Sequence, residues 1–219
     1  YDKWSFIDPK EAQKKLNLPR NPRDYTSIAV TTDDSNDEIV YASSMGDGVI
    51  QYKNGTPVQS YNEKNAFKET AGGYGSGYCY IDGLAFDKNG NLWMTSSEVN
   101  HAVLVLDKAG AWHRLDIEQL RGVYTINDIL ITSTNDKWIY VPRNTPKLVM
   151  IPNSESLDEV SSYEFTTLID TDGKELTPSN YTCVAEDKDG YIWVGTNRGA
   201  VYFTKPRISS AEDKAATRC

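Results

Sequence analysis

Short apolar runs, closed by Gly, Asn, Asp or Pro, recur along this chain in a fixed order. Four of them align: "EIVYASS" at 38–44, "NLWMTSS" at 91–97, "DKWIYVP" at 136–142 and "YIWVGTN" at 191–197. An apolar run precedes each one: "TSIAV" at 26–30, "IDGLAF" at 81–86, "INDILI" at 126–131 and "TCVAE" at 182–186. Another follows each: "GVIQYK" at 48–53, "AVLVLDK" at 102–108, "KLVMIP" at 147–152 and "GAVYFTK" at 199–205. Three units carry a fourth run, "PVQSYN" at 57–62, "AWHRLDI" at 111–117 and "YEFTTLI" at 163–169. The runs are short, β-branched or aromatic, and bounded by turn residues, which predicts strands.

Aligned on Val40, Trp93, Trp138 and Trp193, the units repeat with a period of roughly 50 residues. Four antiparallel strands per repeat predict an all-β propeller of about four blades. The predicted blades span 25–62, 81–117 and 126–169, with a partial blade at 182–205 and a linker tail at 206–219. "DKWSFID" at 2–8 reads as a further strand. Either it completes the partial blade and closes a four-bladed ring, or it ends a preceding blade and the chain is an arc of a larger propeller. The arc is the preferred reading. One helix is predicted at 8–19, with Asp8 as N-cap, Pro9 at its first position, Glu11 in a capping box and Pro19 as its stop. A further helical turn is possible within "LDIEQLRG" at 115–122.

The phrases "DKNGNLW" and "DKDGYIW" place Asp87, Gly90 and Trp93, then Asp187, Gly190 and Trp193, in the same order. Asp hydrogen-bonds its own chain in a tight turn and Gly supplies positive φ, so the pair reads as a hairpin turn. Calcium is the competing reading. It fails because neither copy has the further acidic residues and distal bidentate Glu of a calcium loop. Trp93, Trp138 and Trp193 are expected to pack between blades, with Gly195 in the "GT" pair that follows. The third unit lacks both the Asp-x-x-Gly turn and the Gly-Thr pair.

Composition narrows the partners. The formal net charge is −8, and no basic run exceeds Lys14–Lys15, which argues against nucleic acid. No stretch has the roughly 18 apolar residues of a membrane span. Cys79, Cys183 and Cys219 have no metal-like spacing, and Cys183 is expected to be a buried small hydrophobe. His101 and His113 are the two histidines, and no nucleophile elbow or phosphate loop accompanies them. No catalytic residue, cofactor or metal ligand is therefore assigned.

The best recognition segment is "AGGYGSGYCY" at 71–80, in the long connection between the first two blades. Tyr74, Tyr78 and Tyr80 would offer rigid amphipathic contact surface. In a propeller the loops joining second and third strands share a face with the inter-blade connections. That rule adds Asp47, Asn100, His101, Arg143 and Arg198 to one mouth, suited to glycan or peptide ligands.

"VAEDKDGYIWVGTNRGAVYF" at 184–203 resembles the two-component regulator propeller repeat, and "IDGLAFDKNGNLWMTSS" resembles a second copy. With "EIVYASSMGDGVIQYKNG", "SYNEKN" and "IDTDGKEL", the chain is most similar to PorZ-like propellers over residues 25–205. The resemblance implies a multi-bladed propeller within a longer chain of a Bacteroidetes cell envelope, periplasmic or on the surface. It implies a non-enzymatic binding or scaffold module tied to type IX secretion, whose partner would be a glycan, a peptide or another envelope protein. The alternatives are a periplasmic glycan-sensing domain of a hybrid two-component system, and a propeller hydrolase, lactonase or lyase.

Overall fold

A computed structural model describes residues 4–67, 77–169, 172–204 and 217–218. The first element is α1 (Pro9–Leu16). The Asp8 carboxylate accepts from Lys10 N at 2.9 Å, Glu11 lies in the first turn, and Lys14 and Lys15 in the last. These placements suit the helix dipole. The helix stops at Asn17, which adopts the left-handed conformation with φ 52°, two residues before Pro19. Its apolar side, Ala12 and Leu16, packs with Leu18 on Ala42, Ile50 and Tyr52 of the first blade.

Four antiparallel sheets follow. Blade I is β1 (Tyr25–Thr32), β2 (Glu38–Gly46), β3 (Gly48–Lys53) and β4 (Thr56–Tyr61). Blade II is β5 (Cys79–Phe86), β6 (Leu92–Ser96), β7 (Val103–Leu106) and β8 (Trp112–Leu115). A single 3₁₀ turn, Glu118–Leu120, leads on. Blade III is β9 (Ile129–Ile131), β10 (Lys137–Val141), β11 (Lys147–Ile151) and β12 (Tyr163–Phe165). The run at 163–169, expected as one strand, breaks after Phe165. Its end becomes β13 (Leu168–Ile169), which pairs with β14 (Glu175–Leu176) as a separate hairpin. Blade IV is β15 (Tyr181–Glu186), β16 (Ile192–Thr196), β17 (Gly199–Phe203) and β18 (Thr217–Arg218). The molecule is thus an all-β propeller built of four-stranded antiparallel blades.

Two expectations at the chain ends are corrected. Residues 4–8 form no strand; Trp4 is fully exposed and Phe6 is 84% exposed. The edge of β17 is taken instead by β18, inside the tail that was expected to be linker. The physical reason is tethering. Residues 4–8 run directly into a helix docked on blade I, whereas the tail leaves from blade IV itself. Blades I and II are also continuous, because Met45 and Gly46 at the end of β2 pair with Tyr80 and Cys79.

Side chains alternate across each sheet and fill three interfaces. Ala29, Val49, Ile81, Leu92 and Met94 close blade I on blade II. Trp93, Val105, Ile129, Ile139 and Val149 close II on III. Trp138, Phe165, Tyr181, Val194 and Phe203 close III on IV. Trp93 and Trp138 are 1% and 0% exposed. Trp193 lies on the far face of blade IV, half-buried and stacked on Tyr202 at 4.9 Å.

The hairpin turn explains the repeated phrase. Asp87 Oδ1 accepts from Asn89 N and Asn91 N at 2.9 and 2.8 Å, and Oδ2 accepts from Trp93 Nε1 at 2.9 Å. Asp187 does the same: Oδ1 accepts from Asp189 N and Tyr191 N, both at 2.9 Å, and Oδ2 from Trp193 Nε1 at 2.7 Å. Gly90 and Gly190 sit at φ 84° and 81°, where a side chain would be strained. Both carboxylates are therefore committed to N–H donors of their own hairpin, which is scaffold chemistry. Blade III makes the same turn from different residues. Thr132 Oγ1 accepts from Asp136 N at 3.0 Å, and Asn135 takes the positive-φ place at 69°. Thr132 has a single hydroxyl oxygen where Asp has two carboxylate oxygens, and the buried Trp138 Nε1 has no hydrogen-bond partner among the described residues.

Counting from these turns fixes the repeat register. The second rung is Thr31↔Ile39, Ala85↔Trp93, Leu130↔Trp138 and Ala185↔Trp193. Blade I therefore presents Ile39, not Val40, at the tryptophan position. Val40 points the other way, towards α1. A one-residue slip moves a whole strand's side chains to the opposite face.

Trp93→Ala and Trp138→Ala should each cost about 3–5 kcal/mol of unfolding free energy, as for other buried aromatic truncations. Trp193→Ala, on a half-exposed face, should cost clearly less. Urea titration of the three variants measures the difference. Equal losses would contradict the assignment of Trp93 and Trp138, but not Trp193, to closed interfaces.

Candidate ligand-binding mouth

The connections between second and third strands lie at one end of the blades. In blade I the connection is Asp47 alone, between Gly46 and Gly48. Asp47 Oδ1 accepts from Arg20 Nε, and Ser44 Oγ donates to Oδ2 at 3.3 Å. Arg20 Nη2 also donates to Gly46 O at 2.9 Å, and the guanidinium lies 4.5 Å from the Tyr78 ring centroid. Tyr78 meets Tyr80 edge to face at 6.2 Å. Gly46 is required here: at φ 110°, a Cβ would stand 3.0 Å from the Tyr78 ring. A cleft of about 320 Å³ opens beside this cluster, walled by Leu18, Arg20, Asp47, Asn62, Glu63 and Lys64.

The structure thus brings Asp47 and Tyr78 together through Arg20, and adds Tyr80 through ring contact. Asn100 and His101 lie in the β6–β7 connection of blade II, Arg143 in that of blade III and Arg198 in that of blade IV. Arg143 and Arg198 are exposed, and Arg198 N donates to Thr196 Oγ1 at 3.0 Å. His101 lies close enough to Asp116 to help lower its pKa, after the larger effect of the Arg121 hydrogen bond. Tyr74 lies outside the described residues. Arg20 escaped sequence reasoning. It sits between two prolines far from any blade motif, and its partnership with Asp47 spans 27 positions.

A second group lies where blades I, II and III meet near their first strands. Ser97 Oγ donates to Asp82 Oδ2 at 2.7 Å and accepts from Ile126 N at 2.8 Å. Burial raises the Asp82 carboxyl to about 7, against the opposing pull of the Ser97 bonds. Desolvation likewise raises Asp128, although its side chain still reaches solvent. Gly83 allows the two strands to meet, since a Cβ there would come within 2.8 Å of Ile129 N. Thr26 Oγ1 donates to Ile81 O at 2.6 Å, and Thr95 Oγ1 to Asn127 O at 3.0 Å. These bonds bind neighbouring blades through their inner strands. The "IDG" and "IND" runs held this signal, but nothing in the sequence distinguishes an aspartate at a blade junction from a turn residue.

Cys183, expected to be buried, is exposed. A bulge between Tyr181 and Cys183 shifts the alternation of β15 by one. Cys183 then lies over Gly195, where a Cβ would stand 2.6 Å from its Sγ. This contact explains the glycine of the "GT" pair. Cys79 is buried, and desolvation pushes its thiol up to about 12.

Comparison with known proteins agrees with this architecture. Residues 175–198 match the profile of the family described as "Two component regulator propeller". The structure of PorZ from Porphyromonas gingivalis, described as an essential bacterial surface component of the type-IX secretion system, superposes with a TM-score of 0.83. The match has 20% identity and covers 99% of this chain and 30% of that one. The extracellular domain of a hybrid two component system from B. thetaiotaomicron matches at TM-score 0.54 and 16% identity, over 85% of this chain and 22% of that one. That of a one component system from the same organism matches at 0.57 and 14%, over 89% and 23%. The chain therefore spans less than a third of each of these structures. No match to a curated relative is found. The class is a β-propeller, and its fourth blade carries a two-component regulator propeller repeat.

The raised Asp82 carboxyl gives a pH test. A carboxyl whose folded pKa lies above its unfolded value of about 3.9 binds more protons in the folded state, so stability falls as pH rises between the two values. His113, raised chiefly by its hydrogen bond to Asp107, acts in the same direction near neutrality. Asp82→Asn should flatten the loss of stability between about pH 4 and pH 7, leaving the His113 component. Denaturant midpoints across that range check it, and an unchanged slope would contradict it.

Proposed function

We propose that this chain is a non-enzymatic β-propeller binding or scaffold module of a Bacteroidetes cell-envelope protein, associated with type IX secretion. The observation that carries the reading is the likeness to PorZ across 99% of the chain at a TM-score of 0.83. On this reading the module is exported and works in the periplasm or at the cell surface. Among the described residues no helix is long and apolar enough to cross a membrane.

Recognition rather than turnover is the proposed chemistry. Arg20 and Asp47 offer a guanidinium and a carboxylate at the wall of an open cleft, with the Tyr78 and Tyr80 rings packed behind them. That set suits a glycan, a peptide or a segment of another envelope protein. Asn100, His101, Arg143 and Arg198 would extend the contact around the mouth. The net charge of −8 argues against nucleic acid and anionic lipid as partners.

A second reading, a periplasmic glycan-sensing domain, is favoured by the repeat at 175–198 and by the two-component neighbour. The two readings separate in a cell carrying Asp47→Ala with Tyr78→Ala in the full-length protein. The secretion reading expects exported variant protein with type IX cargo lost from the medium. Unchanged cargo, with loss of glycan-induced transcription, would overturn it in favour of the sensor.

A further inference from the structure

The junction between blades I and II differs from the next two at the tryptophan position. Trp93 fills the II–III junction and Trp138 the III–IV junction, both essentially without exposure. Blade I has Ile39 there. Beside Ile39 a cleft of about 470 Å³ opens between the blades, within the roughly 300–1,000 Å³ of small-ligand pockets. Tyr41 and Phe86 form its aromatic side, edge to face at 5.8 Å, and Leu92 and Leu106 its apolar floor. Leu92 occupies in blade II the place of Lys137 in blade III. Lys137 Nζ lies 4.3 Å from the centroid of the Trp93 ring. The cleft is thus where an indole sits one junction further on.

The hydrogen-bonding partner of that indole is also present. Asp33 holds its turn as Asp87 does: Oδ1 accepts from Ser35 N at 2.9 Å and Asp37 N at 3.0 Å. In the Asp87 and Asp187 hairpins, Oδ2 receives a tryptophan N–H. In blade I, Oδ2 of Asp33 meets Lys53 Nζ at 2.7 Å, and this ammonium also reaches Asp37 at 2.8 Å. Lys53 belongs to the third strand, on the rung beside Ile39, so it substitutes for the missing indole as donor. A carboxylate oxygen can accept a second N–H alongside it.

We propose that this cleft is a binding site for an indole supplied in trans: a tryptophan side chain of a partner polypeptide enters between blades I and II and directs its N–H to Asp33. Tyr41 and Phe86 receive the ring, and Ile39 is small enough to leave it room. The molecule's own hairpins define the occupant, since an Asp turn holds an indole N–H in blades II and IV and the blade II indole fills a junction. The site lies at the opposite end of the blades from the Asp47 mouth and does not depend on the secretion reading.

The test is ¹⁹F NMR of N-acetyl-5-fluorotryptophanamide with the whole protein, together with methyl shifts of ¹³C-labelled isoleucine and leucine. Saturable binding is expected in roughly the millimolar range, with shifts at Ile39, Leu92 and Leu106. N-acetylphenylalaninamide, which lacks the side-chain N–H, should bind about fivefold more weakly. Ile39→Trp supplies the indole in cis and should abolish binding while the unfolding temperature holds or rises. No saturable binding, equal affinity for the phenylalanine probe, or shifts clustered elsewhere would each overturn the proposal. The methyl shifts decide the matter in the unmodified protein even if the variant fails to fold. A concentration-dependent dimer lost on Trp4→Ala would make a second copy's Trp4 the occupant and overturn the assignment to a partner.

Discussion

The structure depends on one carboxylate doing two things. In the hairpin between the first two strands of a blade, an aspartate oxygen accepts the backbone N–H groups that close the turn. Its other oxygen accepts an indole N–H from the second strand. The first action fixes the strand register. The second holds the tryptophan at one angle, so its ring enters the next blade as a rigid wedge. A buried indole N–H left without an acceptor costs about 1–3 kcal/mol, so the pairing stabilises the two blades that carry both residues, II and IV. Variation on it is informative. The Asp107 turn of blade II pairs with His113 Nε2 at 3.0 Å, Asp33 pairs with Lys53, and Thr132 leaves Trp138 unpaired.

Much of this was legible in the sequence because it is local. The Asp-x-x-Gly turn, the alternation around it and the tryptophan six positions on all lie within a dozen residues. They predict the strands, the blades and inter-blade packing for Trp93, Trp138 and Trp193, of which Trp93 and Trp138 are buried between blades and Trp193 is only half-buried, on the far face of blade IV. What failed was either short or shifted. Ile39 was missed for Val40 because blade I has no tryptophan to anchor the alignment. β18 is a two-residue rung and leaves no alternation to detect. The bulge in β15 reversed the burial of Cys183. The third blade lacks the Asp-x-x-Gly residues, yet Thr132 and Asn135 build the same turn by another route.

The mouth was legible only in outline. The long glycine-rich connection pointed to Tyr78 and Tyr80, and the rule that loops alternate between the two ends of a blade added Asp47; the structure joins these three in one cluster. Neither could supply Arg20, which arrives from the segment after α1, or the Asp82–Ser97–Ile126 chain, which depends on contacts across blades. Function in a propeller belongs where the repeats differ. Two such places are the Arg20–Asp47 mouth and the Ile39 cleft, and both adjoin blade I, the blade without a tryptophan at the paired position.

The central claim is that the turn carboxylate and the indole act as one unit. A double-mutant cycle of Asp87→Ala and Trp93→Phe, read by urea unfolding, tests it most directly. The account predicts a coupling energy of about 1 kcal/mol or more between the two positions, because either change alone breaks the shared hydrogen bond. Additive losses would show that the aspartate and the tryptophan stabilise the fold independently, and would contradict it.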